Sequence, residues 1–150
     1  MWDYPRPPRL ERSTELVEVE LGGRTIARTT RALRVLETSH PPTYYLPVQD
    51  VAAGVLRPIA GGSLCEWKGR AAYFDIASGD HVAERAAWHY PEPTDPFAEL
   101  RGHVAVYPGL MDRCLVGGEE VRAQPGGFYG GWVTSRVVGP FKGSPGTMGW

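Results

Sequence analysis

The sequence is poor in cysteine and has no long apolar segment. Its 150 residues include two cysteines, Cys65 and Cys114, and four histidines, none with the close spacing that structural zinc sites use. Two distant thiols favour a cytoplasmic protein, as does a polar N-terminus where a signal peptide would need an apolar run. No apolar run approaches the roughly 20 residues that cross a bilayer. We therefore expect no metal, no other cofactor and no membrane partner.

Charge of one sign is not in excess either. Lysine and arginine number 16, and aspartate and glutamate number 17. The chain thus lacks the basic field typical of nucleic-acid-binding proteins, and we expect no nucleic-acid partner. The phosphate-binding patterns G-x-x-x-x-G-K-[ST] and G-x-G-x-x-G are absent, and so is the G-x-S-x-G sequence of hydrolases. No D-x-D pair is present to bind Mg²⁺, which argues against nucleotidyl transfer.

Glycine and proline are abundant instead, with 19 and 14 residues, which favours short strands joined by turns over long helices. In "LVEVELGGRTIA", Val17 and Val19 alternate with glutamates, and Gly22-Gly23 follows where a two-residue hairpin turn needs positive φ. "CLVGGEEVRA" has the same signature. "WKGRAAYFDI", "VAERAAWHY" and "GHVAVYP" are three further strand-like runs. The pattern predicts a mainly β fold of antiparallel sheets in one small domain.

Other segments depart from this strand pattern. "DVAAGVLRP" predicts one short helix, with Asp50 as its N-cap and Pro58 at its end. The prolines of "SHPPTYYLP" favour an irregular, extended crossing over a central strand. We expect residues 1–15 to form an extended arm and residues 16–120 the β domain. Residues 121–150 form a glycine-rich extension, docked on the domain because its tryptophans are costly to leave in water.

The stretch "SLCEWKGRAAYFD" concentrates reactive side chains. Lys68 would lower the pKa of the Cys65 thiol and make it a nucleophile; alternatively, Cys65 only packs at a strand entrance. Strict alternation would place Lys68 on an apolar face, so we predict a bulge at Gly69 that moves it to the face of Tyr73 and Asp75. That face is either a ligand site or a solvated surface with ordinary ion pairs.

Two other segments carry candidate site residues. On "VAERAAWHY", Trp88 and Tyr90 form either the aromatic wall of a pocket or a core face. In "LETSHPPTYYLPVQD", Glu37 and His40 lie on a proline-stiffened loop near Tyr45, where they would serve as general acid and base. The alternative is that His40 only bonds to the backbone in a tight crossing.

The blocks "ETSHPPTYYLPVQDV", "SLCEWKGRAAYFD", "AAWHYPEP" and "HVAVY", in this order, resemble DUF427, a family of unknown function that is sometimes labelled nucleotidyltransferase-like. The similarity covers roughly residues 16–120, although Glu66 replaces the proline of the family's Cys-Pro-aromatic-Lys-Gly block. The resemblance implies coiled antiparallel sheets similar to the β-tent class, which includes methionine sulfoxide reductase B and Mss4-like proteins. The paired zinc cysteines of those relatives are missing here.

Related β-tents hold small ligands in aromatic-lined pockets between sheets, so the resemblance implies a pocket walled by Trp67, Tyr73 and Trp88. Our first hypothesis is a domain that binds a small polar or aromatic ligand there, with Tyr45 and Asp75 also at the site.

In this hypothesis Lys68 supplies positive charge. The alternatives are a small metal-free enzyme that uses Lys68 or Cys65 with Glu37 and His40, and a protein-interaction domain. An exposed hairpin edge would also allow a homodimer.

Overall fold

A computed structural model of the chain describes residues 9–36, 42–65, 69–123 and 131–134. Its strands are β1 (Arg9–Arg12), β2 (Val17–Leu21), β3 (Arg24–Thr29), β4 (Leu33–Leu36), β5 (Thr43–Pro47), β6 (Leu56–Cys65), β7 (Gly69–Ser78), β8 (His81–His89), β9 (His103–Val106), β10 (Arg113–Val116), β11 (Glu119–Glu120), β12 (Arg122–Ala123) and β13 (Trp132–Val133). Short 3₁₀ helices cover Val48–Asp50, Asp95–Leu100 and Pro108–Leu110.

Glycine pairs close two of the hairpins. Gly22 and Gly23 join β2 to β3 with φ of +64° and +77°, and Gly117 and Gly118 join β10 to β11 with φ of +58° and +85°. Two consecutive residues at positive φ are what the favoured two-residue hairpin turn requires, and glycine adopts them without a steric penalty. Both hairpin predictions are confirmed.

Two antiparallel sheets form the body of the described chain. The larger sheet has seven strands in the order β1-β4-β5-β9-β8-β7-β6, and the smaller has four in the order β11-β10-β2-β3. The strands β12 and β13 pair with each other as a separate two-stranded sheet. The predicted mainly β fold of antiparallel sheets in a small single domain is confirmed. No helix among the described residues has the length and apolar character to cross a membrane.

The main core lies between the two sheets. Val17 and Val19 of β2 are fully buried against Leu46 and Val104 of the larger sheet, because alternate residues of each strand point to the same side. Trp132 of β13 is also fully buried in this core, where it packs on Tyr44 with ring centroids 5.2 Å apart.

The opposite face of the larger sheet, called the outer face below, carries a second core. Phe97 and Leu100 of the Asp95–Leu100 helix are buried with Leu33 of β4, and Leu10 of the edge strand β1 packs beside them. The central strands of the larger sheet are therefore covered by apolar side chains on both faces.

The predicted helix over "DVAAGVLRP" is wrong. A single 3₁₀ turn ends at Asp50, Val51 bridges to Ala27, and β6 starts at Leu56. Gly54 has φ of +77°, which no α-helix contains. The Asp50 carboxylate accepts a hydrogen bond from Arg31 at 2.9 Å instead of capping a helix.

The expected irregular crossing is also wrong for residues 43–47, since these form β5 between β4 and β9. Proline is tolerated here because Pro42 precedes the strand and Pro47 ends it, so neither interrupts the ladder within the strand. Residues 37–41 lie outside the described residues.

The predicted bulge at Gly69 is wrong as well. β6 and β7 pair without a shift from Cys65 opposite Gly69 to Gly62 opposite Ala72. Strict alternation puts Arg70 on the same face as Lys68, but Arg70 is exposed near the start of β7, so its charge requires no change of register. The register of β7 shifts farther along, between Phe74 and Ile76, where it faces β8.

Candidate functional site

Five aromatic side chains gather on the outer face, from strands β5, β7 and β8 and from the segments that follow β8 and β9. Strand pairing sets Tyr73 opposite Trp88, and Trp88 opposite Ala105, so their side chains share one face. Tyr45, Tyr90 and Tyr107 complete the group. Ring centroids lie 4.6 Å apart for Trp88 and Tyr107, 6.1 Å for Tyr45 and Trp88, and 6.2 Å for Tyr45 and Tyr90.

A buried hydrogen bond fixes the centre of this group. The indole Nε1–H of Trp88 donates to the hydroxyl of Tyr45 at 3.2 Å. Tyr45 is 2% exposed and Trp88 8%, so the bond satisfies a polar group that would otherwise be costly to bury. Tyr73 and Tyr107 are only half-buried and form the solvent-facing side of the group.

A bulge brings an arginine to the same side. Phe74 faces Ala87 and Ile76 faces Ala83, so the single residue Asp75 lies opposite residues 84–86. Within this bulge Arg85 has φ of +50°, the left-handed region that costs a side-chain-bearing residue about 1–2 kcal/mol. The carboxylate Oδ1 of Asp75 accepts a hydrogen bond from the Arg85 backbone N–H at 2.8 Å and holds this conformation.

The conformation of Arg85 places its guanidinium over the ring of Tyr73, with Cζ 4.1 Å from the ring centroid. Arg85 is exposed, and within the described part of the chain no carboxylate lies within ion-pair distance of its guanidinium. A guanidinium stacked by one face keeps its N–H edge available for a carboxylate or phosphate.

Tyr107 contributes a neutral hydroxyl to this arrangement. Burial raises the pKa of Tyr107, the neighbouring Tyr73 raises it further, and Arg85 opposes both effects. The hydroxyl therefore stays protonated at physiological pH and can donate a hydrogen bond. The backbone N–H of Tyr107 donates to the carbonyl of Ala86 at 2.9 Å, which ties this residue to the bulge.

Tyr73, Arg85, Trp88 and Tyr107 together are called the Arg85 patch below. Of the predicted ligand-binding residues, Tyr73, Trp88 and Tyr45 come together at or beneath this patch, and Asp75 supports it through the backbone of Arg85. Trp67 lies outside the described residues.

The predicted catalytic candidates are not described at the level of side chains. Lys68, Glu37 and His40 lie outside the described residues, and only the backbone of Cys65, paired with Gly69, is described. Their acid–base and nucleophilic roles stay predictions.

The other cysteine, Cys114, is buried in the main core, and burial raises the pKa of its thiol to about 12. At neutral pH this thiol is protonated and packs as a small apolar side chain. Across residues 9–36, 42–65, 69–123 and 131–134, no group of three histidine, cysteine, aspartate or glutamate side chains is arranged to hold a metal ion.

Sequence reasoning missed Arg85 and Tyr107. Unbroken alternation along "VAERAAWHY" puts Arg85 on the face opposite Trp88, and only the bulge turns it toward Tyr73. The sequence did contain one indication of the bulge: Val82-Ala83, Glu84-Arg85 and Ala86-Ala87 come in pairs of like residues, so apolar and polar residues do not alternate as in a regular strand. Tyr107 follows the last residue of β9, where strand parity no longer predicts direction.

A comparison with family models matches residues 9–117 to a domain of unknown function (DUF427). No curated protein matches the chain with significant similarity. The matched segment runs from β1 into the turn after β10, so it includes the whole larger sheet, three of the four strands of the smaller sheet and the whole Arg85 patch. The resemblance inferred from the residues is confirmed: this chain belongs to the DUF427 family.

Proposed function

We propose that this domain binds a small planar organic anion at the Arg85 patch. The observation that carries the proposal is the backbone of Arg85, which has a positive φ and places the guanidinium over Tyr73. A non-glycine residue at positive φ is uncommon, and it persists only where its surroundings hold it in place. Here the Asp75 carboxylate holds it, and the result is a cation on the open side of an aromatic cluster.

The chemistry of the patch indicates the kind of ligand. The free N–H edge of the Arg85 guanidinium would bind a carboxylate or phosphate in two parallel hydrogen bonds. Arg85 covers one face of the Tyr73 ring, so the uncovered parts of the half-exposed Tyr73 and Tyr107 rings offer the apolar surface for a flat group, and the Tyr107 hydroxyl offers one donor. Trp88 and Tyr45 lie beneath and keep these rings in position.

The strength of binding should depend on salt. Arg85 is exposed, so its attraction for an anion is screened by solvent and by ions within about 10 Å at 0.1 M salt. The affinity for a fragment-sized anion is therefore modest and falls as ionic strength rises.

A cytoplasmic location and independence from metal ions are parts of the same proposal. The free, buried Cys114 thiol supports a reducing compartment. Independence from metal predicts that EDTA leaves the affinity unchanged.

Binding can be measured by titrating the ¹⁵N-labelled full chain with benzoate, with benzamide as its uncharged match. We expect benzoate to shift the Arg85 amide and the Trp88 indole resonances, and benzamide to bind much more weakly. Arg85→Gln should weaken benzoate about tenfold, the lower end of what a charge-assisted hydrogen bond supplies. Arg24→Gln, which removes an exposed arginine from the start of β3, serves as the control and should change nothing.

Equal affinities for benzoate and benzamide would contradict the proposal, as would unchanged benzoate binding in Arg85→Gln. Arg85→Lys separates the charge from the geometry, because lysine keeps the positive charge but lacks the planar fork of N–H donors. Its affinity for benzoate should lie between those of the unmodified chain and Arg85→Gln.

A further inference from the structure

A groove of about 450 Å³ opens at the other end of the outer face. The ends of β1 and β5, the start of β9 and the segment between β3 and β4 surround it, since Arg12, Arg31, Pro47 and His103 all line it. Its volume lies within the range of small-molecule sites. His103 and Tyr107 are four residues apart, so the groove lies about 13 Å along the strand from the Arg85 patch.

Cationic side chains outnumber anionic ones in the lining of the groove. Arg12, Arg31 and Arg101 contribute three positive charges, and Glu99 one negative charge. The guanidinium of Arg31 is already oriented by Asp50, with Nη2 2.9 Å from Oδ1. Such a pair keeps further N–H donors for a ligand.

The other two arginines are free to move toward a ligand. Arg101 is exposed and forms no ion pair or hydrogen bond through its side chain within the described part of the chain. Arg12 pairs with Glu99 at 3.3 Å, but their side chains are 81% and 56% exposed. An ion pair that is so exposed is worth little and exchanges readily for a ligand anion.

The remaining lining favours hydroxyl groups over flat rings. Thr14, Thr30 and Gln49 supply hydroxyl and amide groups at the rim, while the buried Ala32 and Leu33 form a small apolar floor. Among the described residues that line the groove there is no phenylalanine, tyrosine or tryptophan. This surface differs in kind from the Arg85 patch.

We infer that this groove, here called the arginine groove and defined by Arg12, Arg31 and Arg101, binds a hydroxylated organic anion of sugar-phosphate size. The arginines bind the anionic group, because guanidinium forks match phosphate and carboxylate oxygens. The threonine hydroxyls, the Gln49 amide and the Glu99 carboxylate hydrogen-bond the ligand hydroxyls. The groove is a second site, separate from the Arg85 patch.

The test is an NMR titration of the full chain with glucose 6-phosphate, with glucose and inorganic phosphate as partial probes. We expect shifts at the Gly102 and His103 amides, and tighter binding of glucose 6-phosphate than of either partial probe. Arg101→Gln should weaken binding about tenfold or more, and Arg24→Gln should not weaken it. Since Arg101 is exposed and unpaired in the described residues, its replacement should leave the fold intact.

Two results would overturn the inference: glucose 6-phosphate that shifts no groove resonance at saturating concentration, and an unchanged affinity in Arg101→Gln. Inorganic phosphate that binds as well as glucose 6-phosphate would also overturn it, because the hydroxyl-binding rim would then contribute nothing. The Arg85 patch is assessed separately in the same variants. Arg101→Gln should bind benzoate normally, and Arg85→Gln should bind glucose 6-phosphate normally, so either site can fail alone.

Discussion

The strained backbone of Arg85 can be tested by comparing glycine and alanine at this position. Both substitutions remove the guanidinium and its contact with Tyr73, so the difference between them reports the backbone alone. At an ordinary strand position alanine is more stable than glycine by about 0.5–1 kcal/mol. At φ of +50°, alanine pays about 1–2 kcal/mol that glycine does not pay.

The two effects have opposite signs, and strain is the larger. Subtracting one range from the other at their midpoints leaves Arg85→Gly more stable than Arg85→Ala by roughly 0.5–1 kcal/mol. For a chain of 150 residues this is a difference in Tm of about 1–4 °C. The free energy of unfolding should be measured in urea at neutral pH, with thermal denaturation as a second assay.

The neighbouring residue provides the control. Glu84 is exposed on the same strand and does not share the positive φ of Arg85. Glu84→Ala should therefore be more stable than Glu84→Gly, the reverse of the order at position 85. If alanine were the more stable substitution at both positions, the backbone of Arg85 would not be strained and the argument for a functional role would lose its basis.

Four further predictions concern the packing at Gly22, the burial of Trp132, the pH dependence of stability through His89, and the role of Lys68 in binding. A Cβ at Gly22 would lie 2.5 Å from the carbonyl oxygen of Ser78, so Gly22→Ala should destabilise the domain by about 2–4 kcal/mol. A Cβ at Gly23 would have no atom within 4 Å, so Gly23→Ala should cost only about 1 kcal/mol. Equal losses of the free energy of unfolding in urea denaturation would contradict the close approach of Gly22 to Ser78. Trp132→Ala should cost about 3–5 kcal/mol because the ring is fully buried, and a wild-type-like Tm would show that this segment is not part of the core. Burial lowers the pKa of His89 below its usual 6.5, so the unfolded chain binds a proton that the folded chain resists, and stability should fall as pH drops below 6.5. This loss of stability at low pH should be smaller in His89→Gln. Equal slopes of unfolding free energy against pH in the two proteins would refute the contribution of His89. If Lys68 supplies charge to the bound anion, Lys68→Ala should weaken benzoate binding, and an unchanged dissociation constant would remove Lys68 from the site.

Trp132 also bears on the protein-interaction alternative, in which exposed aromatic residues of the C-terminal extension would contact the partner. Its ring packs on Tyr44 and its indole N–H donates to the carbonyl of Val106 at 3.4 Å. Cutting the chain near residue 118 would remove this core residue, so a loss of association in that fragment would report unfolding. A truncation after Thr134 retains the tryptophan and is the appropriate variant for that question.

The hairpins could be predicted from the sequence because their determinants are local. Gly22-Gly23 and Gly117-Gly118 each lie between alternating runs, and the turn type that they favour also fixes the register of the residue pairs next to the turn. The strand β5 could not be predicted in this way. Its place in the sheet depends on pairing with β9, more than fifty residues later in the chain, and the local proline signal pointed elsewhere.

The site was predictable only where the alternation is unbroken. Tyr73 and Trp88 share a face because no bulge separates them in the ladder. The bulge was expected at Gly69 on the ground of a charge conflict, but it lies at Arg85, where the Asp75 carboxylate stabilises it. The broken alternation near Arg85 indicates that the strand is irregular there, but the hydrogen bond from Asp75 on the neighbouring strand cannot be read from the local sequence.

The arginine groove could not be predicted from sequence either. Arg12, Arg31 and Arg101 come from three distant parts of the chain, and only the order of strands in the larger sheet brings them to one end of that sheet. The balanced net charge of the chain conceals this local excess of positive charge.

The most direct test of the central claim is the position of a bound planar anion. Intermolecular NOEs should be recorded between benzoate ring protons and the labelled full chain at a benzoate concentration near the wild-type dissociation constant. We expect NOEs to the rings of Tyr73 and Tyr107, and NOEs about fivefold weaker in Arg85→Gln at the same benzoate concentration, as a tenfold loss of affinity requires. NOEs to other aromatic residues, or NOEs to these two rings that are equally strong in Arg85→Gln, would contradict the proposed site.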